Sequence, residues 1–271
     1  MVSQRLIYTA VNIITDLIKN GTMIVKNKCR ICLGMLLCLT GFYLQAAEHN
    51  TVIYWNTPEA IPLQQGLSET ADFWQLVPHL TTQKNQTYCG IASAVTVLNT
   101  IGTSQDGDPV YYPYTYITQD SFFTPSVLPY LFPKRVMARG ADMTELHHAL
   151  QAHGVAVNAI SGDTLTVDEL RTLLSRELVD SENYLLVNYQ RSFLQQRSGG
   201  HWSVLAAYDY DSDRALILDV ARYSYPPVWV SLPALLAAIN SSDSGGKTRG
   251  LLMVSGQPHS QGQQDSEKEG L

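Results

Sequence analysis

The sequence predicts an α+β fold in which a buried helix is followed by an antiparallel sheet. Three observations carry that expectation. Helical patterns dominate before about residue 180 and short β-rich runs dominate after it, so the two kinds of element are segregated rather than alternating. One stretch, Gln83–Asn99 (QKNQTYCGIASAVTVLN), is small and apolar on nearly every side, as in a helix buried all round. Finally, 271 residues that are 45% hydrophobic and only 15% charged can bury a sizeable core.

Taken in order, Lys26, Lys28 and Arg30 flank an uncharged apolar run, Ile31–Leu44, which small residues at Ala46–Ala47 follow. This is the pattern of a secretory signal over residues 1–46, with Met23 as an alternative start, and the run is shorter than the roughly 20 residues a membrane span needs. Cys29 and Cys32 form a CxxC, but inside such a segment a metal or redox role fails. Cys38 has no small residue before it, which argues against lipid attachment. Removal of the segment would leave Cys89 as the lone cysteine of an exported, periplasmic protein. A thiol with no intramolecular partner is either reactive or buried.

Residues 47–256 then read as a single catalytic domain. A short helix is expected near Ala71–Leu76, followed by the Cys89 helix. Gly102–Pro133, rich in Tyr, Pro, Thr and Asp, reads as a long irregular segment of the kind that walls a site. Asp142–His153 and Thr166–Leu178 read as amphipathic helices, the second opened by a Thr166/Glu169 capping box. Tyr184–Tyr189, Trp202–Tyr208 and Ala215–Val220 read as strands. Tyr225–Val230 reads as an edge strand, Leu232–Ile239 as a helix and Leu251–Ser255 as a last strand. Residues 257–271 are polar and expected to be disordered. The net charge of −6 and the lack of a basic stripe exclude nucleic acid as a partner class.

Chemistry centres on Cys89. At the first turn of a helix the dipole favours thiolate, which is the nucleophile, although an inert buried thiol is the competing reading of this stretch alone. A cysteine nucleophile needs a base, and the base needs an acceptor to orient it. His201 opens an apolar strand behind Gly199–Gly200. Asp219 is the only charge in ALILDVA, and a carboxylate buried there needs a partner. Either the Nδ1–H of His201, one strand away, or Arg222 could fill that role, and His201 taken alone could be an ordinary core histidine. The order Cys…His…Asp is that of papain-like cysteine enzymes.

Three stretches, QKNQTYCGIASAVTVLN, GGHWSVLAAYDYDSDRALILDVARYSYPPVWV and KTRGLLMVS, resemble the phytochelatin synthase family, particularly its short bacterial members. The resemblance implies a papain-like fold with a nucleophile helix packed on a sheet that carries the His and the Asp. It implies Cys89 as nucleophile, His201 as general base and acid, Asp219 as its orienting residue and Gln83 as the oxyanion-hole amide. Asn188, Gly200, Asp243 and Arg249 fall at positions that line the γ-glutamyl-cysteinyl pocket. The implied reaction is attack on the Cys–Gly amide of glutathione, loss of glycine, and resolution of the γ-Glu-Cys thioester by water or by a second glutathione. No cofactor is required by this reading; Cd²⁺ or Zn²⁺ would act as a glutathione–thiolate complex or as an activator. A homodimer is the implied assembly, with no membrane partner once the signal is removed. Plant members carry a Cys-rich C-terminal domain where this sequence has a short polar tail, which favours hydrolysis over metal-activated polymerisation.

Two other readings compete. One is an exported papain-like peptidase or amidase acting on other peptides with the same triad. The other is a metal-binding protein built on Asp142, Glu145, His147, His148 and His153, whose spacing departs from the i, i+4 histidine pair of zinc helices; a solvated helix face accounts for them better.

Overall fold

The computed structural model describes residues 51–103, 107–179 and 182–256; the expected signal segment and the polar tail lie outside these residues. A seven-stranded sheet forms the centre. Its strands are β1 (Val52–Tyr54), β2 (Val155–Ser161), β3 (Asn183–Gln190), β4 (Gly200–Asp209), β5 (Arg214–Leu218), β6 (Val228–Ser231) and β7 (Gly250–Gly256). Their order is β1-β6-β5-β4-β3-β7-β2, and every neighbouring pair is antiparallel. Mixed helix and antiparallel sheet is the α+β class read from the sequence.

Helices cover both faces. On one side lie α3 (Cys89–Ile101) and α5 (Met143–Gln151); on the other lie α6 (Val167–Glu177) and α7 (Leu232–Ile239). The remaining helices, α1 (Ile61–Gln65), α2 (Phe73–Leu76) and α4 (Pro133–Arg139), are short. Alternation along the strands feeds both layers: Leu186, Val204, Leu216 and Leu252 join the first apolar cluster, while Leu185, Val187, Leu205, Ile217 and Leu251 join the second. A sheet wet on one face alternates apolar and polar residues; this one is dry on both, which is why its central strands read as continuous apolar runs.

Helix α3 is buried at every residue from Cys89 to Asn99 and ends at Gly102, whose positive φ of 71° makes a left-handed C-cap. Both α5 and α6 open with a complete capping box, Asp142/Glu145 and Thr166/Glu169. Several expectations need correction. Tyr225–Val230 is not an edge: β6 lies inside the sheet because three residues of β1, unread in the sequence, pair with it. Strand β2 was also unread, and it forms the opposite edge against β7, which itself sits between β2 and β3. The predicted strand Ala215–Val220 stops at Leu218, which leaves Asp219 just past the strand end.

The segment from residue 107 to Phe132 is irregular, as expected, apart from one turn of 3₁₀ helix at Pro109–Tyr111. Two buried side chains fix it. Asn99 donates Nδ2 to Ile117 O (2.9 Å) and accepts from Ile117 N (2.8 Å), so it mimics a strand partner. His153 Nε2 lies 2.9 Å from Phe122 O, and its ring packs on Phe122 at 4.7 Å. Burial keeps the His153 pKa below its ordinary value, so this anchor is a neutral imidazole.

Replacing Asn99 with Ala leaves the N–H and C=O of Ile117 unmatched in the interior. It is expected to lower stability by about 2 kcal/mol in urea unfolding, with faster proteolysis within residues 107–132; unchanged values on both counts would refute the clamp.

Candidate active site

Antiparallel pairing gathers the site at one end of the sheet. Strand β4 begins where β3 and β5 finish, and β7 begins beside the end of β3. His201 is the second residue of β4, Asp219 follows β5, Asn188 lies near the end of β3, Arg191 follows it, and Arg249 precedes β7. Distant segments thus meet without a long excursion of any of them.

Cys89 is the first residue of α3 and is 6% exposed. Tyr88, its N-cap, supplies no side-chain acceptor, so the first-turn N–H groups stay available to an anion at Cys89. Gly90 lets the helix settle on β4: a Cβ there would stand 3.2 Å from Trp202 Cδ1 and 3.5 Å from Leu146 Cδ2. Cys89 is thereby pressed against the strand that carries His201.

His201 Nε2 lies 2.9 Å from Asp219 Oδ1. The expected contact was through Nδ1. The ring reaches across one strand with its outer nitrogen instead, and Nδ1 is left for the thiol. Burial raises the Cys89 pKa, but the charge of His201, its hydrogen bond and the N–H groups of Trp202 and Gly90 outweigh this, and the thiol is held below its ordinary range. The converse holds for His201. Burial lowers its pKa, while the Cys89 charge and the bonds to Asp219 and Cys89 raise it above the ordinary value overall. Both shifts favour a thiolate–imidazolium pair.

Asp219 is fully buried. Its Oδ1 accepts from His201, from Arg191 Nη2 (3.0 Å) and from Ala221 N (2.8 Å); its Oδ2 lies 2.8 Å from Arg191 Nη1 and 3.4 Å from the Tyr189 hydroxyl. Burial pushes the carboxyl up, but the bonds and charges of His201 and Arg191 bring it down to about 2. Arg222, the other expected partner, is exposed and reaches Leu80 O at 3.5 Å instead of Asp219. Arg191 was missed by the sequence reading because it follows a strand in a polar stretch. The available signal was an Arg within reach of a charge that the sheet would otherwise leave unpaired.

Gln83 is buried. Its N–H donates to Val220 O (2.9 Å), beside Asp219, and its Nε2 donates to the Tyr223 hydroxyl (2.6 Å). Gln119 brackets it, accepting from Lys84 N and donating to Thr82 O, so the irregular segment does line this end of the molecule. Arg249 is buried, donates Nη1 to Asn188 Oδ1 (2.6 Å), and among the described residues has no carboxylate within ion-pair distance and no partner for Nε. Burial lowers its pKa, opposed by the charges of Asp243 and Cys89, so it sits within electrical reach of Cys89. Gly200 makes room for it, since a Cβ there would fall 2.6 Å from the guanidinium nitrogens. Asp243 instead organises a turn, with Oδ1 accepting from Gly245 N and Lys247 N.

Residues 49–251 match the phytochelatin synthase family. The chain belongs to that family. Among its relatives, the Triticum aestivum protein named glutathione gamma-glutamylcysteinyltransferase 1 is 33% identical over 195 residues, which is 71% of this chain and 37% of that protein. The Arabidopsis thaliana protein of the same name is 34% identical over 200 residues, 73% and 39% of the two chains. The Schizosaccharomyces pombe relative is 22% identical, over 71% and 45%. This phytochelatin synthase family member thus spans well under half the length of the curated relatives it matches. Among solved structures, a double glycine motif protease from an AMS/PCAT transporter aligns at a TM-score of 0.35 and 12% identity, covering 66% of this chain and 91% of that one.

The acid and histidine cluster of the metal-binding reading is used otherwise. Asp142 and Glu145 cap α5, and Glu145 pairs with Arg139; His147 lies 3.3 Å from Val157 O, His148 stacks on Tyr130, and His153 is the anchor described above. Among the described residues no group of three His, Cys, Asp or Glu side chains could hold a metal ion.

Two outcomes follow for this family member. The rate of Cys89 alkylation by iodoacetamide should reach half its maximum below the pH of about 8.5 typical of free cysteine, and His201→Ala should move that midpoint upward; a midpoint unchanged by His201→Ala would refute the coupling. Arg191→Met strips the buried carboxylate of its bidentate partner and should cost about 3–5 kcal/mol of stability at pH 7. Because the Asp219 pKa is depressed when folded, its contribution is present above the unfolded value near 4 and fades as pH falls toward 2, so the gap between wild type and Arg191→Met should narrow on acidification.

Proposed function

We propose that this protein is a cysteine acyltransferase acting on glutathione, built on a papain-like arrangement in which the nucleophile helix faces a sheet carrying His201 and Asp219. The observation that carries the proposal is the coupled Cys89–His201–Asp219 set beside a buried guanidinium with no carboxylate partner among the described residues, in a chain of this family. The curated relatives are named for γ-glutamylcysteinyl transfer from glutathione.

Cys89 thiolate attacks the carbonyl carbon of the Cys–Gly amide. As the S–C bond forms, the carbonyl electron pair moves to oxygen, where the Gln83 amide and the Cys89 N–H receive it. The oxyanion collapses, the C–N bond breaks, and the His201 imidazolium gives its proton to the departing glycine nitrogen. Water or the amine of a second glutathione then adds to the γ-Glu-Cys thioester carbon, His201 takes the proton, and the C–S bond breaks to return Cys89 as thiolate. Water yields γ-glutamylcysteine, and glutathione yields a phytochelatin. Arg249, held by Asn188, grips a carboxylate of the γ-glutamyl end, and Asp243 supplies a negative charge for its ammonium. No cofactor is required; Cd²⁺ or Zn²⁺ enters as the glutathione thiolate complex or as an activator, and the setting is an exported, periplasmic one.

Brief incubation with glutathione followed by mass spectrometry should show a γ-Glu-Cys adduct on Cys89 and free glycine, both absent in Cys89→Ala. Arg249→Met should raise KM about tenfold to a hundredfold, the worth of a charge-assisted hydrogen bond. Neither adduct nor glycine, with or without Cd²⁺, would overturn the glutathione reading in favour of a peptidase.

A further inference from the structure

The Gln83 carboxamide is buried, yet its Oε1 has no hydrogen-bond partner among the described residues. Its Nε2 has one, the Tyr223 hydroxyl at 2.6 Å. The terminal torsion of a glutamine is broad and roughly two-fold, so its direction has to be set by neighbours. An oxyanion donor works only when aimed beforehand at the place where charge will develop. Backbone pairing of Gln83 N with Val220 O fixes where the side chain starts, but not where its amide points.

Tyr223 belongs to a segment that already organises the rest of the site. Asp219 Oδ1 accepts from Ala221 N, and Ala221 O accepts from Ser224 N (2.7 Å) and Tyr225 N (3.1 Å), so residues 219–225 form a compact turn built on the catalytic carboxylate. The Tyr225 ring lies 4.6 Å under the Arg191 guanidinium. Tyr223 is 58% exposed, so its ring contributes little to the core while its hydroxyl reaches in to a buried amide. An exposed aromatic ring whose hydroxyl bonds a buried amide serves that amide more than it serves packing.

We propose that Tyr223 is a positioning residue that aims the Gln83 carboxamide at the oxyanion formed on the acyl carbon. One amide hydrogen is spent on the Tyr223 hydroxyl and the other faces the reacting carbonyl. The turn after Asp219 thereby sets the base, through the carboxylate, and the oxyanion donor, through the tyrosine. This rests on the reading of Cys89 as an acyl-transfer nucleophile and does not depend on glutathione being the donor.

Two small reagents test it. With p-nitrophenyl acetate, Cys89 sulfur bonds to the acetyl carbon, an oxyanion forms and collapses, and p-nitrophenolate leaves. With iodoacetamide, the same sulfur displaces iodide at a saturated carbon and no oxyanion forms. Tyr223→Phe, which keeps the ring, should slow acylation roughly tenfold and leave alkylation unchanged. In a Gln83→Ala background, Tyr223→Phe should have no further effect on acylation. Equal slowing of both reactions, or an undiminished effect in the Gln83→Ala background, would overturn the proposal. So would acylation unaffected by Gln83→Ala, or a wild-type Cys89 that the ester fails to acylate. Neither reagent is glutathione, so a failure of the glutathione reading shows up separately, as an enzyme that acetylates normally but releases no glycine.

Discussion

A carboxylate with no access to water decides how this end of the protein is built. Ionised and alone, Asp219 would cost several kcal/mol to bury, so the chain brings it a histidine, a bidentate arginine, a tyrosine hydroxyl and a backbone N–H. Each donor comes from a different place: the start of β4, the turn after β3, the end of β3, and the residue two further on. Once they converge, the charges alternate, Arg191 positive, Asp219 negative, His201 positive and the Cys89 thiolate negative. These four groups sum to zero when the thiolate–imidazolium pair is formed, so forming it adds no net charge to the set. Arg191 is part of that balance, which makes the site a four-residue system rather than three.

The helix that presents Cys89 follows from the other constraint, a sheet dry on both faces. An amphipathic helix on such a sheet would turn its polar side outward. Helix α3 instead lies between the sheet and the irregular segment pinned by Asn99 and His153, so it has no outside. Small residues suit that position because they let the sheet, the helix and the covering segment approach closely, as Gly90 does against Trp202. The price of such seating is a helix with almost no tolerance for larger side chains.

Much of this was legible in the sequence where the signal was local. Continuous apolar runs located β3, β4 and the greater part of β5, the capping box at Thr166 located α6, and the Cys-Gly boundary placed Cys89 in the first turn of α3. The pairing of His201 with Asp219 could be read because a hairpin turn at Asp211–Asp213 fixes the two strands as neighbours. What was hidden depends on partners far along the chain. The three residues of β1 are a strand only because β6 offers them an edge, and β2 (VAVNAIS) is a largely exposed run broken by Asn158 whose place in the sheet comes from pairing with β7. Arg191 was hidden for the same reason: its partner is 28 residues away, and Arg222, only three residues from Asp219, was the nearer candidate in sequence. Gly200 was read as lining a pocket, and its physical role is to leave the Arg249 guanidinium a place to be.

The all-round burial of α3 also governs how the site fails. Local opening draws on segments with few apolar contacts and exposed backbone hydrogen bonds, and α3 has neither. Its amides belong to the part of the molecule that opens last, and Cys89 sits on its first turn. Loss of the active-site arrangement and loss of the fold are therefore one event for this helix, with a single free energy, rather than a frayed loop that could inactivate the thiol while the protein stayed folded.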